Sequence, residues 1–333
     1  DNRFINISKR EDYIFNSSIN GIEESDLILM IGCDPRHEAT MINARIRKAS
    51  VKNHTKIFCI GDPGDLTYDY KLLENNVKFI NDFVQNKTEF NNIFNKSKKP
   101  IVIIGESTLE LKSGGYIFEE LKNYLFKNNF IREDWNALNV LVKNASTING
   151  IELGLTKDNK FFSNLESQKY KLIYLLGSDN LKFKKKNEFI VYIGSHGDNG
   201  AEIADVILPG ATYTEQDGFF TNLEGKLQKA YRASFPPGEA KEDYKILNEL
   251  SELLKRKKLF QNKDELTDNL LNYLDLNQKK IQSKNFSSVD YIDEKIIINP
   301  IDYYYSNVIA RASKTMSECR SIKTDLKKTG TEG

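Results

Sequence analysis

Cysteine is scarce in this 333-residue chain, which holds Cys33, Cys59 and Cys319 and no others. No two are spaced as a metal-binding pair, and three thiolates cannot supply the four of an ordinary iron–sulfur cluster. The same scarcity removes a disulfide framework and suits a reducing compartment. Histidine is equally rare: His37, His54 and His196 form no HxxxH pair. GxSxG, Walker A and HExxH are absent too, so the sequence shows no hydrolase elbow, P-loop or zincin helix. No run approaches the roughly 20 apolar residues of a membrane span. Neither sign of charge dominates: 48 Lys and Arg stand against 47 Asp and Glu, for a net charge of +1. That balance gives no electrostatic reason to expect nucleic acid or an anionic membrane as partner. The basic runs at Lys184–Lys186 and Lys255–Lys258 are short and read as solvated faces or helix ends. The opening DNRFINISKREDY shows no secretory or transit signal.

What is present is an apolar run ending in glycine, met five times: Leu27–Gly32, Ile57–Gly61, Ile101–Gly105, Leu172–Gly177 and Phe189–Gly194. Continuous apolarity means that both faces of a strand are covered, as in parallel sheets between helices. The expected fold class is therefore α/β, with Rossmann-like layers of mainly parallel strands and a helical carboxyl-terminal region. A first lobe is expected over 1–95 and a second over 96–235. The polar, lysine-rich stretch Asn75–Lys99 serves as boundary, and 236–333 is the helical region with its tail. Residues 34–49 read as one helix, N-capped by Asp34 with Pro35 at its first position. Gly32–Arg36 offers two readings, a nucleotide or pterin site or a plain capped turn, with the Asp34 charge opposing an anion. Leu109, Ile117, Phe118, Leu121 and Leu125 read as one helix face, and Trp135, Leu138, Leu141 and Val142 as another. Residues 148–167 read as loop. Further on, Glu239–Lys258 reads as a helix with a core-facing stripe, Glu265–Leu274 as a short helix in a stretch otherwise polar to Asn299, and Val308–Cys319 as a helical face.

The stretch from Phe189 to Gln228 organises the chain. A strand runs into the Gly194–Gly200 loop, where His196 lies, and Val206–Leu208 is stopped by Pro209-Gly210. An arm over 201–228 then carries Asp217-Gly218 and Glu224-Gly225, both read as turns. The acids Glu202, Asp205, Glu215, Asp217 and Glu224 read as turn, capping and ion-pairing residues. ADVILPGATYTEQDGFFTNLEGKLQ resembles the signature region shared by molybdopterin oxidoreductases and the large iron–sulfur subunit of respiratory complex I (NADH:ubiquinone oxidoreductase). Residues 22–50, 62–70 and the tail DYYYSNVIARASKTMSECRSIK resemble the complex I subunit as well. That subunit commonly has Asn where this chain has Asp34.

The resemblance covers the carboxyl-terminal part of the subunit. The cysteine-rich region that the subunit carries upstream has no counterpart here, and is expected on another chain or missing. What the resemblance implies is a structural part of complex I, supporting electron transfer from NADH to ubiquinone coupled to proton translocation. This chain would hold no catalytic, cofactor or metal residues, and FMN and iron–sulfur clusters would sit on partner chains. Its partners would be other complex I subunits, without nucleic acid and without a membrane span of its own. Its place would be the peripheral arm on the matrix side of the mitochondrial inner membrane; the richness in Asn, Lys, Ile, Phe and Tyr fits an AT-rich, organellar genome. The alternatives are a fragment of a true molybdopterin-dependent oxidoreductase and a free nucleotide-binding module. Gly218, Asn222 and Gly225 are the residues whose substitution is expected to disturb assembly.

Overall fold

The computed structural model describes residues 9–145, 147–155, 160–181, 183–280, 290–299 and 301–329. Residues 1–8 of the opening, and 156–159 and 281–289 of the stretches read as loop or polar, lie outside the described residues. The chain divides into two compact units. The first comprises 1–157, 220–228 and 273–300, the second 158–219, 229–272 and 301–333.

The first unit is built on a five-stranded sheet. Its strands are β1 (Leu27–Ile31), β2 (Lys56–Ile60), β3 (Lys71–Leu72), β4 (Pro100–Gly105) and, after the small β5–β6 pair (Ile131–Arg132, Trp135–Asn136), β7 (Leu138–Leu141). Their spatial order is β3-β2-β1-β4-β7, and every pairing is parallel. All of β1, β4 and β7 is buried, as the unbroken apolar runs require of strands covered on both faces. After β1 come α1 (Pro35–Glu38) and α2 (Thr40–Asn53). α3 (Val77–Val84) and α4 (Phe90–Phe94) return the chain from the β3 edge to β4. α5 (Glu106–Leu109) and α6 (Gly114–Lys127) lead on to β7, and α7 (Thr147–Glu152) follows it. Phe58, Phe83, Phe90, Phe94 and Tyr124 form an aromatic cluster beside the sheet. Buried Asn91 donates to the Phe83 carbonyl and to the Tyr124 hydroxyl within it.

The second unit holds α8 (Phe161–Glu166) and a three-stranded parallel sheet in the order β10-β9-β8. β8 is Leu172–Leu176, β9 Phe189–Gly194 and β10 Val206–Pro209, with α9 (Asn199–Glu202) between β9 and β10. β11 (Gly218–Thr221) and β12 (Leu227–Ala230) then pair as a two-stranded ribbon. α10 (Asp243–Leu253), α11 (Lys263–Lys280), α12 (Val308–Ala312) and α13 (Lys314–Thr329) complete the chain.

The five glycine-terminated runs are all strands, and the α/β class with its carboxyl-terminal helices holds. Several details differ. The helix expected over 34–49 breaks at Ala39, whose extended φ of −153° separates α1 from α2. Trp135, Leu138, Leu141 and Val142 do not share a helix face. Leu138–Leu141 is the strand β7 on the far side of β4, and Trp135 is core, its indole N–H donating to the Pro100 carbonyl at 2.8 Å. Leu109 lies in α5, apart from the α6 face of Ile117, Phe118, Leu121 and Leu125. Residues 148–167 contain α7 and α8 rather than loop alone. Asp217-Gly218 opens a strand instead of making a turn. The α10 stripe is buried at Ile246, but Leu253 and Leu254 at its end are exposed. Asn75–Lys99 is a crossover within one sheet, so the compact units fall differently from lobes divided near residue 95.

Candidate functional site

In the order β3-β2-β1-β4-β7 the chain leaves β1 in one direction and β4 in the other. The carboxyl ends of β1 and β4 therefore form the topological switch point, where open α/β sheets hold their ligands. Three glycines line this edge. Ile31 pairs with both Ile60 and Ile104, so Gly32, Gly61 and Gly105 lie side by side. A Cβ at Gly105 would overlap the Gly32 carbonyl oxygen and the Cys33 Cβ, so the two strand ends can meet only with glycine there.

The space above this row is filled by the chain itself. Residues 290–299 cross the edge, bridging antiparallel at Lys295 to Asn76. The Ile296 N–H donates to the Asn75 carbonyl at 2.8 Å, and the Val77 N–H to the Glu294 carbonyl at 3.0 Å. Ser113 receives the strand from the other side: its N–H donates to Glu294 Oε1 at 2.9 Å and its hydroxyl to the Ile292 carbonyl at 2.8 Å. Asn299 donates from its backbone to Ser107 Oγ and from its amide to Glu110 Oε2. The Ile296 side chain, 2% exposed, presses on the glycine row. Its Cγ2 is 3.1 Å from where a Cβ on Gly32 or on Gly61 would lie.

The helix start beside the row is also occupied. Asp34 N-caps α1 as expected, accepting from the Arg36 and His37 N–H groups at 3.0 and 3.3 Å, and its second oxygen meets His37 Nδ1 at 2.6 Å. The amides that would hold a phosphate thus already hold a carboxylate. Of the two readings of Gly32–Arg36, the geometry gives the capped turn. A pterin or dinucleotide does not fit the residues at this edge: Ile296 covers Gly32 and Gly61, and Asp34 sets a negative charge at the helix start.

Below the edge lies a buried polar cluster. Both carboxylate oxygens of Glu38 are buried without a hydrogen-bond partner, and Lys143 Nζ is 3.8 Å away. Burial pushes the Glu38 carboxyl up to about 7, against the lowering pull of Lys143. Lys143 Nζ donates to Ser107 Oγ and to the Asn299 carbonyl, both at 3.1 Å, so the same lysine clasps the end of the 290–299 segment. Burial, and then the charge of Glu38, raises the Cys33 thiol, and burial raises Cys59. Neither thiol is disposed to ionise and bind metal. Among the described residues no three His, Cys, Asp or Glu side chains converge as a metal site.

Glu38 carries a pH prediction. Its folded pKa lies above the ordinary 4.5, so the native state binds the proton more tightly than the unfolded chain. Stability should fall as pH rises from about 4.5 to about 7 and level off above, with a cost on the order of 3 kcal/mol. Glu38→Gln should flatten that slope and stabilise the chain at pH 8, as measured by urea unfolding between pH 4.5 and 8. An unchanged slope would show that the carboxylate is already satisfied.

The signature arm is the second constellation. Residues 220–228, its tip, belong to the first unit. The Thr221 N–H donates to Asn149 Oδ1. The Phe15 N–H donates to the Leu223 carbonyl and the Ile19 N–H to Glu224 Oε1, each at 2.7 Å. Arg10 donates to the Gly225 carbonyl and pairs with Glu152 at 2.8 Å. Inside the tip, Asn222 Oδ1 accepts from the Lys226 N–H at 2.8 Å, and Gly225 stands at φ +78°.

The other acids of the arm cap and pair. Asp205 meets Lys185 at 2.5 Å and the Ile190 N–H at 2.8 Å, Glu215 accepts from the Thr212 N–H, and Asp217 accepts from the Arg232 N–H and pairs with Lys263. His196 contacts Ser195 Oγ in its loop, and His54 is the left-handed C-cap of α2. The structure does not bring the histidines together with these acids. Sequence reasoning missed Ile296, Glu38 and Lys143. The one sequence signal was the apolar triplet Ile296–Ile298 in a polar stretch.

A family profile described as molybdopterin oxidoreductase matches residues 2–253, and one described as the C-terminal region of an NADH-ubiquinone oxidoreductase subunit matches 272–319. The chain is 36% identical over 330 residues to the NADH-ubiquinone oxidoreductase 75 kDa subunit of Reclinomonas americana, covering 95% of this chain and 48% of that protein. It is 36% identical over 331 residues to an NADH-quinone oxidoreductase subunit of Rickettsia typhi, covering 97% and 48%. It is also 36% identical over 335 residues to the mitochondrial NADH-ubiquinone oxidoreductase 78 kDa subunit of Candida albicans, covering 94% and 45%. The chain thus spans about half the length of the curated relatives it matches.

Proposed function

The chain belongs to the molybdopterin oxidoreductase family, and on that premise we propose that it is a structural part of respiratory complex I, a molybdopterin-type fold that carries no cofactor of its own. The observation that carries this reading is Ile296 seated on Gly32 and Gly61. The filling segment, 290–299, lies beyond the molybdopterin match and inside the match to the NADH-ubiquinone oxidoreductase C-terminal region. The segment matched by the C-terminal NADH-ubiquinone oxidoreductase profile therefore supplies the residue that covers the strand ends.

Electron transfer from NADH to ubiquinone runs through FMN and iron–sulfur clusters on partner chains. Tunnelling centres need fixed separations, and a rigid α/β body with a closed crevice holds its neighbours in place. The partners are other complex I subunits, foremost the chain that carries the cluster-binding region. The location is the peripheral arm on the matrix side of the mitochondrial inner membrane. No described helix is long and apolar enough to cross a membrane. The relatives' names support this reading: each is an NADH-ubiquinone or NADH-quinone oxidoreductase subunit, one of them mitochondrial.

The test is a native gel of gently solubilised source membranes, probed for this chain and stained for NADH dehydrogenase activity. Co-migration with a large NADH-oxidising band is expected. Migration as a small soluble species away from that activity would overturn the proposal.

A further inference from the structure

Residues 252–259, at the carboxyl end of α10, are all exposed. Three of them are leucines, Leu253 at 80%, Leu254 at 61% and Leu259 at 51%. Between them run four cations, Lys255, Arg256, Lys257 and Lys258. This tip is held in one shape. Lys255 stands at φ +54°, the left-handed position where glycine usually closes a helix. The Lys255 and Arg256 N–H groups bond back to the Glu252 and Ser251 carbonyls at 2.9 and 3.0 Å. Buried Asn248 then takes hold of the returning chain. Its amide donates to the Phe260 carbonyl at 2.8 Å, and its Oδ1 accepts from the Leu259 and Phe260 N–H groups at 3.0 and 3.1 Å. Ser251, also buried, donates to the Lys257 carbonyl at 2.8 Å. Two buried side chains of α10 thus satisfy the backbone of the tip and fold it back along the last turns of the helix.

Cations at a helix carboxyl end complement its dipole, which accounts for Lys255 and Arg256. It accounts neither for Lys257 and Lys258 beyond the turn nor for the leucines that face water around them. The one acid within 252–260 is Glu252. Of the acids beside the tip, Glu249 pairs with Lys241, Glu242 pairs with Lys263, and Glu265 accepts from the Gln261 N–H. Among the described residues none of the four cations of the tip forms an ion pair. Uncommitted cations set between exposed leucines are the complement of carboxylates around an apolar patch. The fixed shape of the tip suits a folded polypeptide, whose acids also stand at fixed positions. Fluid anionic headgroups of a membrane ask for no such preset geometry.

We propose that the tip at 253–259 docks on a partner polypeptide, its leucines seated on an apolar patch and Lys255, Arg256, Lys257 and Lys258 paired with Asp or Glu side chains around that patch. The leucines supply contact area, and the cations steer the encounter and fix its orientation. Because Asn248 and Ser251 set the loop beforehand, docking orders little further backbone. The proposal rests on the reading of the chain as part of a larger assembly, and names the surface through which one partner is held.

The test uses the full chain in the assembly captured through a tag on it. A benzophenone amino acid replaces the exposed Leu254, and photolysis is followed by peptide mapping. In parallel, the unaltered chain is treated with a zero-length carbodiimide, which joins lysine amines to carboxylates. Expected is an adduct of position 254 with another polypeptide, together with an amide between Lys257 or Lys258 and an Asp or Glu of that same polypeptide. Lys257→Glu with Lys258→Glu should lower the photo-adduct about tenfold. Lys257→Arg with Lys258→Arg should keep the photo-adduct and lose the amide at these positions. Both pairs of side chains are exposed, so the urea midpoint of each variant should match that of the unaltered chain. An adduct with lipid, with a second copy of this chain or with this chain's own residues would overturn the proposal, as would no adduct, or one that the glutamate pair leaves unchanged. The cross-link is read in whatever assembly the tagged chain is captured in. Its failure is therefore separate from failure of the functional reading, which the native gel detects.

Discussion

Gly225→Val lowers the stability of the first unit by about 3 kcal/mol and reduces the amount of chain that reaches the assembled complex. Two effects add. Gly225 stands at φ +78°, a conformation that costs a side-chain-bearing residue about 1–3 kcal/mol and a β-branched one the upper end of that range. A Cβ there would also lie 3.0 Å from Arg10 Cζ and Nη2. The Arg10 guanidinium holds both the Gly225 carbonyl and the Glu152 carboxylate, whose side chain is 1% exposed, so displacing it weakens a half-buried ion pair as well. Gly225→Asn, which tolerates the left-handed region, should lose less than half as much. Gly218→Ala should change little, because Gly218 opens a strand and is not among the glycines with positive φ. Thermal unfolding of the three variants checks the order. Equal losses at 218 and 225 would show that the backbone conformation of the tip is not what matters.

The second large effect is expected at Ile296. Ile296→Ala should cost about 2–5 kcal/mol and Ile296→Val about 0.5–1.5 kcal/mol, the range for removing methyl groups from a closed core position. More than stability should respond. The Ile296 and Val77 amides, which bond across the segment, should lose hydrogen-exchange protection together in Ile296→Ala. The aromatic cluster around Phe83 should keep its protection, since its rings pack on one another and none of them bonds to the segment. A cost below about 1 kcal/mol, with protection unchanged, would mean that Ile296 is not what closes the strand ends.

The parts of the fold read correctly from sequence are those whose signal is local. Five apolar runs ended in glycine because the strand must turn at its carboxyl end, and all five are strands within a residue or so of the expected ends. Asp34 and Pro35 announced a helix start and form one. The Glu224-Gly225 turn was legible from its glycine. Misreadings came where a local pattern admits two periods. Trp135, Leu138 and Leu141 are spaced three apart, which suits a helix, yet the short run Leu138–Leu141 pairs as a strand because β4 offers it a parallel edge. Nothing local marks the break at Ala39 or the exposure of Leu253 and Leu254.

The crevice was the least legible feature, for a physical reason. Ile296 acquires its role from Gly32 and Gly61, more than two hundred residues away, and from a sheet order that only the folded chain displays. A triplet of isoleucines in a polar stretch shows that something is buried, but not where. Glu38 was hidden in the same way: in sequence it is one acid among several near a helix start, and only the fold places it beside Lys143 and away from water.

The central claim is that this molybdopterin-type fold serves as a cofactor-free support, its crevice closed by residues 290–299. The most direct measurement is the molybdenum and pterin content, per copy of this chain, of the NADH-oxidising assembly purified through it. The account predicts neither above background, while FMN and iron are present from the partner chains. Molybdenum and pterin recovered in a one-to-one ratio with the chain would contradict it.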